Sequence, residues 1–277
     1  MRLENEKYSL EVGLHAAEIT SFKDKETGIE YMWDGNPQYW AGKNPTLFPV
    51  IGSSFNKKYW FEGKETTMGN HGFTRHAEFT LKSQTENSVT MSLKDNEETY
   101  KQYPFHFELE VTDKLEGNRC TVIYNITNLD DHPMPFAFGL HPAFRCPLEE
   151  GKQFSDYRVE FDSTVKPVKP FGPVEEGEPL KSIPLNYEDF KKYPTFVFEN
   201  LISPFATLTD GTHGVKISMV GYDTFAIWTP MAPFVCLEPW QPTHNSVDQD
   251  LPFMERDASR IVQPGRTYTT TYTIEIF

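Results

Sequence analysis

The feature that most constrains this chain is an alternation of side-chain character with a period of two residues. Residues 119–125 read RCTVIYN and residues 267–277 read TYTTTYTIEIF. A strand repeats every two residues and a helix every 3.6, so alternation of this kind is typical of strands that are covered on one face. Both segments therefore predict β-structure.

Nine further segments are short runs rich in β-branched or aromatic residues, most of them bounded by turn residues. Aromatic residues make up 14% of the chain and prolines number 21, which suits strands joined by tight turns. The best helical candidate is residues 186–192 (NYEDFKK), about two turns long. We therefore predict an all-β fold, with these nine strands at Tyr8–Val12 and residues 15–21, 30–33, 88–93, 105–112, 158–161, 206–209, 215–219 and 225–228.

The chain shows no internal repeat and no long linker. Its most Pro/Gly/Glu-rich stretch, residues 166–179, is short enough to be a surface excursion within one domain. So many strands do not suit a single flat sheet, whereas two antiparallel sheets packed face to face would bury the aromatic faces. We predict a single domain over residues 1–277, built as a large antiparallel β-sandwich with few short helices.

Charge and hydropathy exclude several classes of partner. The formal net charge is −14, the pI is near 5.0 and no basic run occurs, which argues against binding to nucleic acid or an anionic membrane. The longest apolar stretches, such as residues 134–140, fall short of the roughly 18 residues of a membrane helix. The charged N-terminus, MRLENEKYSLEVG, lacks the apolar h-region of a secretion signal, so we do not expect export to be encoded there. We expect a soluble, cytoplasmic protein.

The three cysteines, Cys120, Cys146 and Cys236, are widely spaced and form no CxxC pair. A zinc ribbon or a redox motif would need closer spacing. We expect reduced, buried cysteines in strands and no disulfide.

Phosphate-binding loops, HExxH and GxSxG are all absent from the sequence. The residues suited to catalysis occur instead in three short segments, which we call islands. In NHGFTRH (residues 70–76), Gly72 permits a sharp turn that brings His71 and Arg75 near each other. The other two islands are FGLHPAF (residues 138–144), which holds His141, and PFVCLEPW (residues 233–240), which holds Glu238.

Glu238 is the most informative of these residues. Alternation along Phe234, Cys236 and Glu238 directs its carboxylate to the same face as two apolar side chains, where an unpaired charge is costly. A strand-end glutamate in solvent or an ordinary ion pair explains the pattern equally well. His141 is likewise compatible with a core histidine, and His71 with Arg75 is compatible with a salt-bridge cluster in a loop.

Two further site types can be weighed from the residues. A metal site built from His71, His76, His141 and Glu238 would use suitable ligand types, but no close ligand spacing lies on one element, so we predict no metal. Tryptophan rings can stack on the apolar face of a sugar, and core packing explains most of them equally well. The better candidates are Trp228 and Trp240, ahead of Trp33 and Trp40.

Four islands in order resemble the aldose 1-epimerase (galactose mutarotase-like) family, most of all its LacX-type branch. They are LFP at residues 47–49, HGFTR at residues 71–75, HPAF at residues 141–144 and FVCLEPW at residues 234–240. The resemblance extends from the first hairpin to the closing Pro264-Gly265 turn, and so covers nearly the whole chain.

The resemblance implies a galactose mutarotase-like super-sandwich with a concave sugar cleft, no cofactor, and isomerase activity that interconverts the α and β anomers of an aldose. By the same resemblance, Glu238 is the general base and His141 the general acid, while His71 and Arg75 contact the substrate. The acid must be protonated, and negative charge from Glu238 is expected to sustain that state. The family's further aspartate has no secure match, and Asp210 and Asp223 are the candidates.

Two other functions remain compatible with these residues. A carbohydrate-binding or sensor protein would keep the cleft without turnover, although it would need neither Glu238 nor His141. An epimerase of a phosphorylated hexose could use Arg75 with the Lys57-Lys58 pair. The partner expected in every case is a small sugar, and the sequence leaves the particular aldose and the oligomeric state open.

Overall fold

The computed structural model describes residues 1–54, 57–169, 174–241, 252–255 and 260–277. About 49% of the chain is strand and 8% is helix, so the all-β prediction is confirmed. The strands form two large antiparallel sheets and three small ones.

The larger sheet has nine strands, and every neighbouring pair in it is antiparallel. The two alternating segments of the sequence lie side by side at its centre as β10 and β22. In spatial order its strands are β15 (Leu180–Pro184), β14 (Arg158–Val165), β17 (Phe205–Thr209), β18 (Gly214–Ser218), β22 (Thr267–Ile276), β10 (Arg119–Asn128), β9 (Phe107–Glu116), β8 (Ser88–Lys94) and β7 (Thr80–Gln84).

The second sheet has six strands and is built around β20 (Phe234–Gln241), the strand that carries the third island. On one side β20 pairs with β19, and on the other it pairs with β12 and then β13. The remaining strands in this sheet are β16 (Thr195–Glu199), β19 (Thr224–Trp228), β12 (Phe138–Leu140), β13 (Ala143–Arg145) and β4 (Thr46–Leu47).

Small elements complete the fold. One sheet of three strands comprises β1 (Arg2–Glu4), β2 (Tyr8–Val12) and β3 (Ile19–Asp24), and two pairs comprise β5 (Lys58–Phe61) with β6 (Lys64–Thr67) and β11 (Met134–Phe136) with β21 (Arg260–Val262). The α-helices in the described part of the chain are α1 (Glu97–Gln102) and α2 (Tyr187–Lys192). Neither of them has the length and apolar character needed to cross a bilayer.

The two large sheets face each other across one apolar core. The ring of Tyr124 on β10 lies 4.9 Å from that of Phe138 on β12, and Phe161 on β14 lies 5.8 Å from Phe225 on β19. Burial alternates along β9 and β10, as the period of two predicts. The sandwich prediction is therefore confirmed.

Of the predicted strands, the one at residues 15–21 is shifted and the one at residues 30–33 is wrong. The segment predicted at residues 15–21 begins as a strand only at Ile19, because Ala16 and Ala17 have φ of +54° and +50° and form a turn. Residues 30–33 make only single bridges, from Glu30 to Lys23 and from Met32 to Phe144. The other predicted strands are present with ends shifted by a few residues, and the helix at residues 186–192 is present with Asn186 as its N-cap.

Helix α1 was not predicted from the sequence. Its signal is a capping box, in which the Asn96 side chain accepts from the Thr99 N–H while the Thr99 hydroxyl accepts from the Asn96 N–H. All three cysteines are free and buried, as expected, although Cys146 follows β13 and does not lie in a strand.

Asp113 is an exception in the apolar core. It lies on the inward face of β9, and neither of its carboxylate oxygens has a hydrogen-bond partner in the part of the chain that the structure describes. Burial raises the pKa of Asp113 from 3.8 to about 8. The folded protein therefore holds a neutral carboxylic acid at this position at neutral pH.

We expect Asp113→Asn to gain stability relative to the wild type as the pH rises. The folded-state pKa of Asp113 lies above its unfolded value, so its contribution to stability is lost from about pH 4 towards about pH 8. Asparagine does not titrate. The difference in free energy of unfolding should therefore grow by at least about 1 kcal/mol between pH 5 and pH 8, as measured by urea unfolding.

The exposed Asp162 on β14 provides a matched control, because Asp162→Asn removes a carboxylate that is not buried. An equal pH-dependent gain in both variants, or no gain in Asp113→Asn, would contradict the proposed protonation state.

Candidate active site

A cavity of about 370 Å³ lies against the face of the six-stranded sheet that is turned away from the core. Alternation along β20 directs Val235 and Leu237 into the core and Glu238 and Trp240 towards the cavity. Its volume is at the small end of the range for ligand pockets, roughly 300–1,000 Å³. The residues that line it are Trp40, Asn70, His71, Arg75, His141, Thr195, Trp228, Glu238 and Trp240.

Strand register brings His141 and Glu238 together. Gly139 on β12 pairs with Trp240, and Ala143 on β13 pairs with Cys236, which places His141 directly across from Glu238. Side chains opposite each other in an antiparallel pair share one face, with Cβ atoms about 5 Å apart. His141 Nε2 accordingly lies 3.3 Å from Glu238 Oε2.

The environment of Glu238 favours its neutral form. The side chain is 2% exposed, and burial raises its pKa well above the usual value. The indole N–H of Trp240 and the charge of Arg75 oppose that shift only in part. The Trp240 N–H forms no hydrogen bond with any described residue, so its effect on the carboxylate is that of a nearby dipole.

His141 is neutral in this site. Burial lowers its pKa well below 6.5, and His71 and Arg75 lower it further. Its Nδ1 is buried and has no hydrogen-bond partner among the described residues. The expectation that Glu238 keeps His141 protonated is therefore wrong for the pair by itself, since both groups are desolvated and the proton stays on the carboxyl group.

A two-residue turn presents His71. His71 and Gly72 have φ of +64° and +74°, and the Gly52 N–H donates to His71 Nδ1 at 3.0 Å. With Nδ1 accepting, the proton of the neutral ring lies on Nε2. Burial, followed by the charge of Arg75, lowers the pKa of His71 to about 4. His71 is thus a neutral hydrogen-bond donor.

Arg75 lies on the short 3₁₀ helix Thr74–His76. The Thr74 hydroxyl fixes this helix in place by donating a hydrogen bond to the Thr46 carbonyl oxygen at 2.6 Å. Burial lowers the pKa of Arg75, while the nearby carboxyl groups of Glu18 and Glu238 raise it. Within the described chain Arg75 forms no ion pair. Its donors therefore remain available to the cavity, and the salt-bridge alternative loses its support.

Tryptophan rings wall the site. The centroid of the Trp40 ring lies 4.9 Å from that of the His141 ring at an angle of 31°, and the centroid of the Trp228 ring lies 5.5 Å from it in an edge-to-face arrangement. Gly139 makes room for Trp240, because a Cβ at that position would lie 2.8 Å from the indole Cδ1. Trp228 on β19 and Trp240 on β20 are thus positioned by the same paired strands that position Glu238.

All six residues predicted for the site line this one cavity: Glu238, His141, His71, Arg75, Trp228 and Trp240. Sequence reasoning placed Trp40 below them and missed Asn70 and Thr195. Thr195 pairs with Trp228 across β16 and β19, a contact that no local pattern signals. Trp33 packs on Phe234 and does not line the cavity.

Other sequence candidates lie elsewhere. Asp210 pairs with Lys152 and Asp223 with Arg260, both away from the cavity. Lys58 pairs with Glu65, and neither Lys57 nor Lys58 reaches the cavity lining. His76 does not line the cavity either, so the four-residue metal set weighed in the sequence is not assembled. A different set, His141, Cys236 and Glu238, has its potential ligand atoms within 4.8 Å of one another.

A larger cavity, about 590 Å³, lies near β14 and β16. Its charged lining residues Lys166, Glu176 and Glu199 are all at least partly exposed, so none is desolvated in the way that Glu238 and His141 are. Perturbed acid–base groups in a cleft identify a functional site better than volume alone. We therefore take the smaller cavity as the candidate active site.

Comparisons with known proteins agree with the fold. The aldose 1-epimerase family matches residues 1–275. Plasmid-encoded protein LacX of Lactococcus lactis subsp. lactis is 32% identical over 297 aligned positions, covering 100% of this chain and 99% of LacX. A galactose mutarotase related enzyme from Lactobacillus acidophilus superposes with a TM-score of 0.91 at 29% identity, covering 100% of this chain and 97% of its own. A galactose mutarotase-like protein from Lactobacillus casei superposes at 0.87 with 26% identity, covering 100% and 99%.

The fold and the cavity define a β-sandwich protein with a buried carboxyl–imidazole pair in a small-molecule site. The chain belongs to the aldose 1-epimerase family. The resemblance read from the four sequence islands is confirmed.

We expect Gly72→Ala to disrupt the turn that presents His71. An added Cβ would lie 2.1 Å from the Phe48 carbonyl oxygen, in a conformation that L-residues rarely adopt. The free energy of unfolding should fall by about 3 kcal/mol or more, as measured by urea denaturation.

Gly63→Ala is the matched control, because Gly63 has a φ of +77° but nothing within 4 Å of its Cβ position. This variant should bear only the conformational cost, about 1 kcal/mol. Equal losses in the two variants would show that the close approach to Phe48 is unimportant.

Proposed function

We propose that this protein is an aldose 1-epimerase that interconverts the α and β anomers of an unphosphorylated aldose. The observation that carries the proposal is the carboxyl–imidazole pair, with Glu238 and His141 3.3 Å apart in a desolvated cavity. Anomer exchange needs one proton acceptor and one proton donor on two oxygens of a single ring. A pair of this kind meets that requirement.

In the proposed reaction, the Glu238 carboxylate takes the proton of the C1 hydroxyl while His141 donates a proton to the ring oxygen O5. The C1–O5 bond breaks and C1=O1 forms, which gives the open-chain aldehyde. Rotation about C1–C2 exposes the other face of the carbonyl. Ring closure returns the O5 proton to His141 and the Glu238 proton to O1.

The Glu238–His141 pair is reactive when its two side chains together hold one titratable proton. Before a sugar binds, this proton lies on Glu238, since burial raises the pKa of Glu238 and lowers that of His141. Sugar hydroxyls donate hydrogen bonds to the carboxylate, and together with Arg75 they stabilise its charge. The proton then moves to His141, and the reactive arrangement forms with the substrate bound.

The surrounding residues suit a sugar. His71 Nε2–H and the Arg75 guanidinium are donors for hydroxyl groups, and Trp228 and Trp240 offer rings for the apolar face of a pyranose. Among the lining residues that the structure describes, Arg75 is the one permanently charged cation, and it lies near Glu238. A phosphate dianion would need more compensation than this, which favours the unphosphorylated substrate.

These residues come from segments spread between Trp40 and Trp240 and from both sides of β20. Such a site requires the segments to fold together. This supports the proposal that residues 1–277 form a single domain.

We expect Glu238→Gln to lower turnover by about 10²-fold or more, because glutamine keeps the shape of the side chain but cannot accept the proton. Polarimetry of freshly dissolved α-glucose and α-galactose measures the rate. Quenching of tryptophan fluorescence measures sugar binding, which should persist.

Glu116→Gln removes an exposed carboxylate on β9 and should behave as the wild type. Mutarotation at the wild-type rate in Glu238→Gln would refute the base assignment. A wild-type protein that binds sugars but accelerates mutarotation at no pH would instead support a carbohydrate-binding or sensor function.

We expect kcat/KM of the wild type to be bell-shaped in pH, with limbs that belong to the pair as a whole. The acid limb, where the pair takes up a second proton, should lie below the usual histidine range because the pKa of His141 is lowered. The alkaline limb, where the pair loses its only proton, should lie above the usual carboxyl range because the pKa of Glu238 is raised.

His141→Asn tests the acid in the same assay. The residual rate should be lower by about 10²-fold or more and should rise with pH to a plateau, because only ionisation of Glu238 then matters. Retention of both the wild-type rate and the alkaline fall would show that another group donates the proton.

A further inference from the structure

We propose that His141, Cys236 and Glu238 form a binding site for a thiophilic divalent cation of the Zn²⁺ type, and that its occupation stops turnover. The inhibitory part of this proposal rests on the proposed function, while the binding part does not. Cys236 has no role in the epimerase reaction described above. Its thiol therefore adds to the site a potential metal ligand that sugar isomerisation does not require.

The three side chains converge from two chain segments. Cys236 and Glu238 are two residues apart on β20 and share its cavity-side face, while His141 comes from the junction of β12 and β13. Their potential ligand atoms all lie within 4.8 Å of one another. Within the described chain, no other three His, Cys, Asp or Glu side chains converge this closely.

The distances are near those of a tetrahedral zinc site. With bonds of about 2.0–2.2 Å to nitrogen and oxygen, the two ligand atoms are about 3.4 Å apart. The separation of His141 Nε2 and Glu238 Oε2 is 3.3 Å. A thiolate at about 2.3 Å from the ion needs nitrogen and oxygen neighbours at about 3.6 Å. The three ligand atoms lie within 4.8 Å of one another, so binding requires them to move closer together.

The ligand chemistry also fits. Thiolate, imidazole and carboxylate together are ligands that Zn²⁺ accepts, and the thiolate disfavours Mg²⁺ and Ca²⁺. His141 and Glu238 line the cavity, so a fourth position towards it remains for water. On binding, the Cys236 S–H bond breaks, an S–Zn bond forms, and the proton passes to solvent together with any proton held by Glu238. No oxidant or reductant is needed.

Occupation would remove both groups of the acid–base pair. The ion takes the Nε2 lone pair of His141 and an oxygen lone pair of Glu238, which leaves neither able to exchange a proton with a sugar. Inhibition should therefore be competitive with the aldose. EDTA should restore the activity of the Zn²⁺-treated protein and leave the activity of the metal-free protein unchanged.

The binding test uses the metal ions alone. Titration of the wild type with Co²⁺ should give the near-ultraviolet charge-transfer absorption of a thiolate–cobalt bond, and titration with Zn²⁺ in a calorimeter should show one site. Cys236→Ala should abolish that absorption and weaken Zn²⁺ binding by about 100-fold or more. Cys236→Ser, which is closer in size, provides the same comparison if the alanine variant does not fold.

Cys120→Ala is the matched control, since Cys120 is equally buried but lies on β10 in the other large sheet. It should keep both the absorption and the Zn²⁺ affinity. Lack of the thiolate band in the wild type, or Zn²⁺ affinity unchanged in the Cys236 variants, would overturn the site.

Measurements of mutarotase activity distinguish the metal-site proposal from the proposed epimerase function. Cys236→Ala should retain mutarotase activity and resist Zn²⁺ at concentrations that inhibit the wild type and Cys120→Ala. Cysteine-dependent Zn²⁺ binding without any effect on turnover would overturn the inhibitory part. Cysteine-dependent binding in a protein that never accelerates mutarotation would leave the metal site standing and refute the proposed function.

Discussion

Burial of the Glu238 carboxyl group is the constraint on which the rest of the site depends. Burying an isolated charge in an apolar interior costs several kcal/mol of free energy. This is far more than the stabilisation that an exposed ion pair contributes. The protein meets this cost by holding the group neutral and by surrounding it with His141, the Trp240 N–H and Arg75. Each of these neighbours also lines the cavity, so the groups that make burial tolerable are the groups available to a ligand.

The sandwich supplies the rigidity that such an arrangement requires. β20 lies between β19 on one side and β12 with β13 on the other, and its inward residues Val235 and Leu237 pack into the core. A shift of β20 by one residue would exchange the cavity face with the core face. Core packing therefore determines which side chains reach the cavity, and stability and site geometry depend on the same register.

The same desolvation gives the site two chemical properties. It raises the proton affinity of Glu238 and lowers that of His141, so in the pair by itself the carboxyl group holds the proton and the imidazole is neutral. A neutral imidazole beside a carboxyl group and a thiol is also a set of metal ligands. If both proposals hold, the site that transfers protons to a sugar also binds, through Cys236, a different class of ligand.

The sequence by itself determined the features that depend on near neighbours. The period of two in β10 and β22, the Asn186-capped helix, the glycine turn at His71 and the cavity-side face of β20 are local, since backbone geometry sets them within a few residues. Four short islands were enough to identify the family and six residues of the cavity. Only the tertiary structure decided what depends on pairing between distant segments. It placed His141 across from Glu238, added Trp40 and Thr195, joined Cys236 to the pair, and reversed the expected protonation of His141, because register and desolvation belong to the packed sheets and not to any segment of the chain.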